Sequence, residues 1–211
     1  MGQLVVQEFV TADGFAANTN NEFTAYEMLE GGSTEFDRNQ LAWLDTVDAM
    51  VLGANTYRMF VDFWPTPASE REVIAPALNA LRRFVFSRSL KNAPWGDLPA
   101  AAIESGDAVE AIRRIKLEVG GTIVLWGSLT LSEAFFAAGE VDAVRLVVMP
   151  IALGAGRGVF PAGQDPTLLS LRSAKTYDAG LVELDYAVRA GPPAAGPTSK
   201  GPAGDPAPAS H

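Results

Sequence analysis

The chain has 211 residues, of which 48% are hydrophobic and 19% charged, a globular composition that excludes collagen-like, coiled-coil and fully disordered proteins. With 16 Lys and Arg against 25 Asp and Glu, the net charge is −9, so we expect no nucleic-acid partner and no polybasic membrane-binding face. Cysteine is absent and the single histidine is His211, so we expect neither a metal centre nor a Ser-His-Asp triad in the folded part.

The two ends of the chain differ in character. The first apolar segment, residues 4–10, follows no basic leader, and no apolar stretch reaches the ~18 residues of a membrane span. We therefore expect a cytoplasmic protein without a secretory signal. Residues 191–211 contain six Pro, four Gly and five Ala but no aromatic or β-branched apolar residue, which predicts a disordered tail after one domain over residues 1–190.

Strand and helix patterns alternate along this domain. In chain order they predict a strand at 4–10, a helix at 37–47, a strand at 49–52, helices at 56–63 and 70–81, strands at 83–86 and 99–103, a helix at 108–118, a strand at 122–125 and a helix at 131–138. Strands alone follow, at 144–149, 168–175 and 181–188. This order predicts an α/β fold with a mostly parallel central sheet, flanking helices and antiparallel C-terminal strands.

Three predicted strands end in glycine or hydroxyl residues. The residues concerned are Gly53 with Thr56, Ser87 with Arg88, and Gly127 with Ser128, Leu129 and Thr130. In an open α/β sheet, ligands bind outside the carboxyl ends of the strands. Backbone N–H groups at a helix start and an arginine both suit phosphate, so the three ends together indicate a nucleotide site. Neither a Gly-x-Gly-x-x-Gly after the first strand nor a P-loop motif is present, which excludes the ordinary Rossmann and P-loop sites.

Five segments carry a family resemblance over about residues 3–189. They are FVTADG at 9–14, LGANTY at 52–57, VFSRSL at 85–90, WGSLTL at 126–131 and VVMPIALGAGR at 147–157. In this order and spacing they resemble the dihydrofolate reductase-like superfamily. Within it, the chain is most similar to the C-terminal reductase domain of bifunctional riboflavin-biosynthesis proteins, the RibD C-terminal domain. The resemblance implies a dihydrofolate reductase-like fold, NADPH as cofactor and hydride transfer to a small heterocycle.

The resemblance also implies the cofactor contacts. These carry over to Gly53, Thr56, Ser87, Arg88, Gly127, Ser128, Leu129 and Thr130. The family commonly has an arginine directly after the first of these glycines, where it binds the 2′-phosphate of NADPH, and this chain has Ala54 there. Either Arg88 or Arg58 then supplies the missing charge, or the preference for NADPH over NADH is weakened.

The substrate side offers two carboxylates as candidate catalytic residues. Dihydrofolate reductases have a carboxylate on the helix before the Gly53 strand, and counting back sixteen positions places Asp37 there. Matching the local Leu-Ala-Trp pattern at 41–43 places Gln40 there instead. The second candidate is Asp13. Each also has an ordinary explanation, since Asp-Gly is a common turn pair and an acidic residue favours a helix start.

Two classes of ligand-related function are compatible with these patterns, beside a third hypothesis of a scaffold whose C-terminal strands mainly drive dimerisation. The first is an NADPH-dependent reductase of a small pterin- or pyrimidine-like molecule, similar to dihydrofolate reductase or to 5-amino-6-ribosylaminouracil phosphate reductase. The alternative is a nucleotide- or flavin-binding protein that uses the same pocket without turnover. The His/Cys zinc signature of the deaminase half of bifunctional proteins is missing, so a dedicated riboflavin-pathway role is not implied. Family members often pair, which predicts a homodimer.

Overall fold

The computed structural model describes residues 1–23, 28, 33–163 and 166–189. Its strands are β1 (Gln3–Thr11), β2 (Phe15–Ala17), β3 (Ala49–Gly53), β4 (Arg82–Phe86), β5 (Ala102–Glu104), β6 (Thr122–Trp126), β7 (Ala143–Met149), β8 (Arg157–Gly158), β9 (Leu169–Thr176) and β10 (Val182–Val188). Its helices are α1 (Thr34–Leu44), α2 (Ala54–Val61), α3 (Ala75–Ala80), α4 (Ala108–Val119) and α5 (Leu129–Ala137). The predicted tail at 191–211 lies outside the described residues. None of the described helices combines the length and apolar character needed to cross a bilayer.

Eight strands form one sheet in the order β5-β4-β3-β6-β1-β7-β10-β9. Every pair from β5 to β7 is parallel, and β10 runs antiparallel to both β7 and β9. The predicted fold class is therefore confirmed: a mostly parallel sheet with helices on its faces and antiparallel strands at the C-terminal end. All parallel strands end at the same edge, which places their following turns together.

The central strands are buried because helices cover both faces of the sheet. One face packs on α4 and α5, through a cluster that includes Ile112, Ile115 and Phe135. The other face packs on α1, α2 and α3, where Leu44 and Leu78 are buried. Strands covered on both sides can be apolar along their whole length, as β3 and β6 are.

Helix ends follow local capping chemistry. The carboxylate of Asp107 accepts hydrogen bonds from the N–H groups of Val109 and Glu110, both at 2.9 Å, and begins α4 as predicted. Gly120 ends α4 at φ +73, a left-handed conformation that glycine adopts without strain.

The structure differs from the sequence prediction most in two segments, and the strand predicted at 99–103 is found as β5 at Ala102–Glu104. Of the predicted helix at 70–81, residues 70–74 are irregular and only the short helix α3 is helical. Pro76 lacks the N–H that a longer helix would require, and it occupies the first turn of α3 instead. The antiparallel pair of β2 and β8 was not predicted. These strands are three and two residues long, too short for a period-two pattern to be visible in the sequence.

We expect a homodimer that pairs through β9. This strand lies at the edge of the sheet, and its Leu171 side chain is 57% exposed. An edge strand has unpaired N–H and C=O groups that can bind a second copy. Light scattering at micromolar concentration should give twice the chain mass of 22.3 kDa. Leu171→Lys should lower the measured mass toward that of a single chain. A single-chain mass for the unmodified protein would contradict this expectation.

Candidate functional site

The three strand ends predicted to carry ligand chemistry are neighbours in the sheet. β4, β3 and β6 are consecutive and parallel. Gly53 at the end of β3 is level with Phe86 of β4, and Leu52 is level with Trp126 of β6. The turns that follow these three strands therefore lie together at one edge.

The two glycine turns pack directly against each other. A Cβ added to Gly53 would lie 2.5 Å from both Cβ and Oγ of Ser128, and one added to Gly127 would lie 2.5 Å from Oγ1 of Thr56. Gly127 also has φ +62, which a larger residue adopts only with strain. The space beside these glycines is occupied by the neighbouring turn, so glycine is needed here for contact between the turns.

This packing predicts a rescue experiment. Gly53→Ala should destabilise the protein by about 1–3 kcal/mol, because the new methyl group overlaps Ser128. Adding Ser128→Gly should restore most of this loss, since it removes the overlapping atoms and suits the φ of +55 at that position. Urea unfolding of the single and double variants measures both effects. Gly106→Ala is the matched control, because a Cβ there meets no atom within 4 Å. Additive losses in the double variant would show that the turns do not touch.

Two helices begin at these turns. Gly53 caps α2 without a side-chain hydrogen bond. Ser128 caps α5, and its Oγ accepts a 3.4 Å hydrogen bond from the N–H of Leu131. The first N–H groups of a helix have no partner within the helix and carry partial positive charge. Two helix starts in contact thus form an edge suited to a diphosphate.

Residues 129 and 130 differ in what they offer a ligand. The side chain of Leu129 is buried in the apolar core, so its backbone alone is available. Thr130 is exposed, and its Oγ1 accepts a 3.3 Å hydrogen bond from Arg157 Nη2. Arg157 also forms a 2.8 Å ion pair with Glu133. These contacts fix β8 to the first turns of α5.

The third strand end presents an arginine on a short turn. Ser87 Oγ accepts hydrogen bonds from the N–H groups of Ser89 and Leu90, at 3.2 and 3.1 Å. Arg88, which lies between Ser87 and Ser89, is exposed and makes no ion pair or side-chain hydrogen bond with the described residues. Arg58 instead donates a 2.8 Å hydrogen bond to Asn55 Oδ1. Arg88 is therefore the freer of the two arginines considered for a 2′-phosphate.

Asp13 holds two loops together. Its carboxylate accepts hydrogen bonds from Thr11 Oγ1 at 2.5 Å, from the N–H of Leu153 at 3.2 Å and from the N–H of Gly154 at 2.7 Å. The Thr11 hydroxyl, followed by the two backbone N–H groups, lowers the pKa of Asp13. This carboxyl is ionised at neutral pH and suits an anchor better than a proton donor.

Asp37 lies half-buried on α1. Burial raises its pKa, and the charges of Glu72 and Asp178 raise it further. These two charged neighbours belong to the segment before α3 and to the turn between β9 and β10, not to the glycine turns. Asp37 thus retains a proton more readily than Asp13 does.

Gln40, the alternative to Asp37 at the family's carboxylate position, belongs to a buried cluster of amide side chains. Its side chain exchanges two 2.9 Å hydrogen bonds with that of Gln7 on β1. Gln7 Oε1 also accepts a 2.6 Å hydrogen bond from Trp126 Nε1. The cluster links α1 to the middle of β1 and the end of β6, so Trp126 has a structural partner.

Sequence reasoning missed Gln7 and Glu8. Glu8 is 9% exposed, and its Oε1 has no hydrogen-bond partner among the described residues. Burial raises the pKa of Glu8 to about 8, and the backbone N–H of Gly127 partly offsets this rise. The available signal was a pair of adjacent polar residues in the middle of the apolar segment 4–10. In a strand covered on both faces, both must be buried.

Other surface features do not alter this assignment. Two open depressions of about 400 and 330 Å³ lie elsewhere, around Trp64 and Asn79 and around Arg83 and Pro99. Neither depression includes a residue of the glycine turns. We therefore place the candidate site at the strand ends and not in these depressions. Within the described ranges, no group of three or more His, Cys, Asp or Glu is placed to hold a metal ion.

Known proteins resemble this chain in sequence and in fold. The uncharacterized protein YyaP of Bacillus subtilis is 25% identical over 189 residues, which cover 87% of this chain and 94% of YyaP. A Shewanella sp. PV-4 structure assigned to riboflavin biosynthesis superposes with a TM-score of 0.68 at 18% identity, covering 89% of this chain and 99% of that one. The Thermotoga maritima diaminohydroxyphosphoribosylaminopyrimidine deaminase/5-amino-6-(5-phosphoribosylamino)uracil reductase superposes with a TM-score of 0.59 at 15% identity. This chain spans 57% of that protein, which covers 89% of this one.

The sequence model of the RibD C-terminal domain family matches residues 3–182. The matched range contains β1, the three strand ends of the candidate site and most of the described chain. The chain belongs to the RibD C-terminal domain family.

Proposed function

We propose that this protein is an NADPH-dependent oxidoreductase that transfers hydride to a small pterin- or pyrimidine-like heterocycle. RibD-type reductases typically use a nicotinamide cofactor, and the family suggests a pyrimidine reductase-like activity. The Thermotoga protein of the same fold carries a uracil reductase activity in its name. These relations support the reaction class, and the residues of this chain support the cofactor.

The observation that carries the proposal is the contact between the two helix starts. Gly53 and Ser128 are packed together, as are Thr56 and Gly127, so the N-termini of α2 and α5 face one edge of the sheet. These residues, with the backbone N–H of Leu129, would hold the diphosphate of a dinucleotide. When bound, the reduced nicotinamide supplies the hydride.

The third strand end would select the phosphorylated dinucleotide. Ser87 shapes the turn, and Arg88 offers an unpaired guanidinium that can bind the 2′-phosphate in bidentate fashion. Because Ala54 has no charge, the selectivity rests on this arginine. Thr130, already bonded to Arg157, would line the same edge.

The two candidate carboxyls would have separate tasks on the substrate side. Asp37 suits proton transfer to the heterocycle, since burial and its acidic neighbours favour the protonated form. Asp13, ionised and bonded to Leu153 and Gly154, would hold the loops that border the site. The reduction adds a hydride and a proton, so it requires one such acid.

Two measurements test the proposal. Tryptophan fluorescence should report NADPH binding, and the absorbance of the reduced nicotinamide should fall with a panel of dihydropterins and aminopyrimidine ribosides. Gly127→Ala should lose binding, because its Cβ overlaps Thr56, whereas Gly106→Ala should retain it. Binding without turnover of any panel member would favour the alternative, a non-catalytic nucleotide- or flavin-binding protein. Absence of dinucleotide binding would contradict the proposal.

A further inference from the structure

Glu8 lies behind the turn between β6 and α5. Its strand neighbour Gln7 is level with Trp126, the last residue of β6, so Glu8 is at the level of Gly127. On the other side, Glu8 is level with Leu146 of β7. The Gly127 N–H lowers the pKa of the Glu8 carboxyl, which agrees with this placement.

The carboxyl belongs to the sheet face that packs on α4 and α5. Val6 and Val10, which share this side of β1 by alternation, are members of the core cluster with Leu129 and Phe135 of α5. Glu8 therefore enters the core directly beneath the start of α5. This is the helix whose first N–H groups are proposed to bind phosphate.

Two buried polar atoms beneath this turn have no hydrogen-bond partner among the described residues. One is Oε1 of Glu8, and the other is Oγ of Ser132, a residue of α5 that is 0% exposed. Ser132 lies one turn after Ser128, and its N–H donates a 3.0 Å hydrogen bond to the Ser128 carbonyl. Buried polar groups that serve the fold alone are nearly always paired. A carboxyl oxygen without a partner among the described residues, behind a turn proposed to bind phosphate, indicates a role in that binding.

Within the part of the chain that the structure describes, no charged side chain compensates Glu8. Burial and the Gly127 N–H are the two causes that act on its pKa. The ion pairs on the helices of this face, Lys116–Asp142 on α4 and Arg157–Glu133 on α5, do not contribute to it. Leu146 faces it from β7, and the two arginines of α4 pair with Glu104, Glu118 and Glu140. A charge on Glu8 would therefore act on the turn without a counter-charge.

We propose that Glu8 is a positioning residue of the dinucleotide site: its neutral carboxyl supports the Gly127–Ser128 turn from inside the core, and its ionised form repels the bound phosphates. The inference rests on the proposed function, because it requires phosphates at the start of α5. Like charges close together in a poorly hydrated region repel strongly. Dinucleotide affinity should therefore depend on the protonation of a residue that does not itself touch substrate.

The test is the pH profile of NADPH binding. In the unmodified protein, the Kd should rise roughly tenfold between about pH 7 and about pH 9. Glu8→Gln keeps a neutral acceptor for the Gly127 N–H. The Kd of this variant should equal that of the unmodified protein at about pH 7 and should not change up to about pH 9. Glu8→Leu removes the acceptor and should bind several-fold more weakly at every pH. Glu140→Gln, a partly buried carboxylate beyond the other end of α5, is the control and should keep the unmodified profile.

The outcomes separate the two proposals. Because all variants bind the same ligand, the ionisation of its own phosphates cancels in the comparison. A profile that is flat in the unmodified protein, or equally steep in Glu8→Gln, overturns the role of Glu8 and leaves the proposed function intact. A protein that binds no dinucleotide at about pH 7 overturns the proposed function, and the role of Glu8 falls with it. If Glu8→Leu does not fold, the pH profile of Glu8→Gln alone tests the role of Glu8.

Discussion

Replacing Glu8 by glutamine is expected to abolish a loss of stability that the unmodified protein shows as the pH rises. Burial raises the pKa of Glu8 from 4.5 to about 8 in the folded state. The native state then holds this proton more tightly than the unfolded chain does. The stability that it contributes is fully present below about pH 4.5 and is lost as the pH rises through about 8. The gap between the two pKa values corresponds to about 5 kcal/mol at most.

Urea unfolding of the two proteins between about pH 5 and about pH 9 measures this difference. The gap in free energy of unfolding between Glu8→Gln and the unmodified protein should grow in favour of the variant as the pH rises. Groups that titrate in both proteins, such as Asp37 and Tyr177, cancel in the comparison. Glu140→Gln should show no such trend, because this carboxylate is paired with Arg113 and Lys116. Parallel curves for Glu8→Gln and the unmodified protein would show that Glu8 is already ionised in the folded state.

The second large effect is expected at Arg88. Arg88→Ala should weaken NADPH binding by about ten- to hundredfold, because a charge-assisted guanidinium–phosphate contact contributes roughly 1.5–3 kcal/mol. NADH has no 2′-phosphate, so its affinity should change little. The preference between the two cofactors should then largely disappear. Because Arg88 makes no ion pair or side-chain hydrogen bond with the described residues, the substitution should leave the melting temperature unchanged.

Two further variants make this result specific. Arg58→Ala tests the other arginine considered for the 2′-phosphate. Because Arg58 is hydrogen-bonded to Asn55, this variant should weaken NADPH binding less than Arg88→Ala does. Arg172→Ala, an exposed residue on β9 at the opposite side of the sheet, controls for net charge. An equal loss of NADPH and NADH affinity in Arg88→Ala would place this arginine at the shared diphosphate. No loss of either would make the turn after β4 an ordinary solvated loop.

The sequence by itself determined the order of the elements and the family. Continuous apolar runs gave β3 and β6, capping residues gave α4, and β-only patterns gave the antiparallel end of the sheet. Since the carboxyl ends of parallel strands meet at one edge, the sequence was enough to place the candidate site residues of three strand ends together. These features depend on local periodicity, which neighbouring residues encode directly.

The tertiary structure alone decided what individual side chains are free to do. The glycines at 53 and 127 look like openings for a ligand in the sequence, yet their space is taken by Ser128 and Thr56. Asp13 could have been an acid, but the Thr11 hydroxyl lowers its pKa, together with the loop N–H groups of Gly154 and Leu153, which lie far away in the chain. Glu8 sits in an apolar segment like any strand residue, and its raised pKa arises from burial beneath α5. Burial and hydrogen bonding depend on neighbours distant in sequence, so they could be read only from the folded chain.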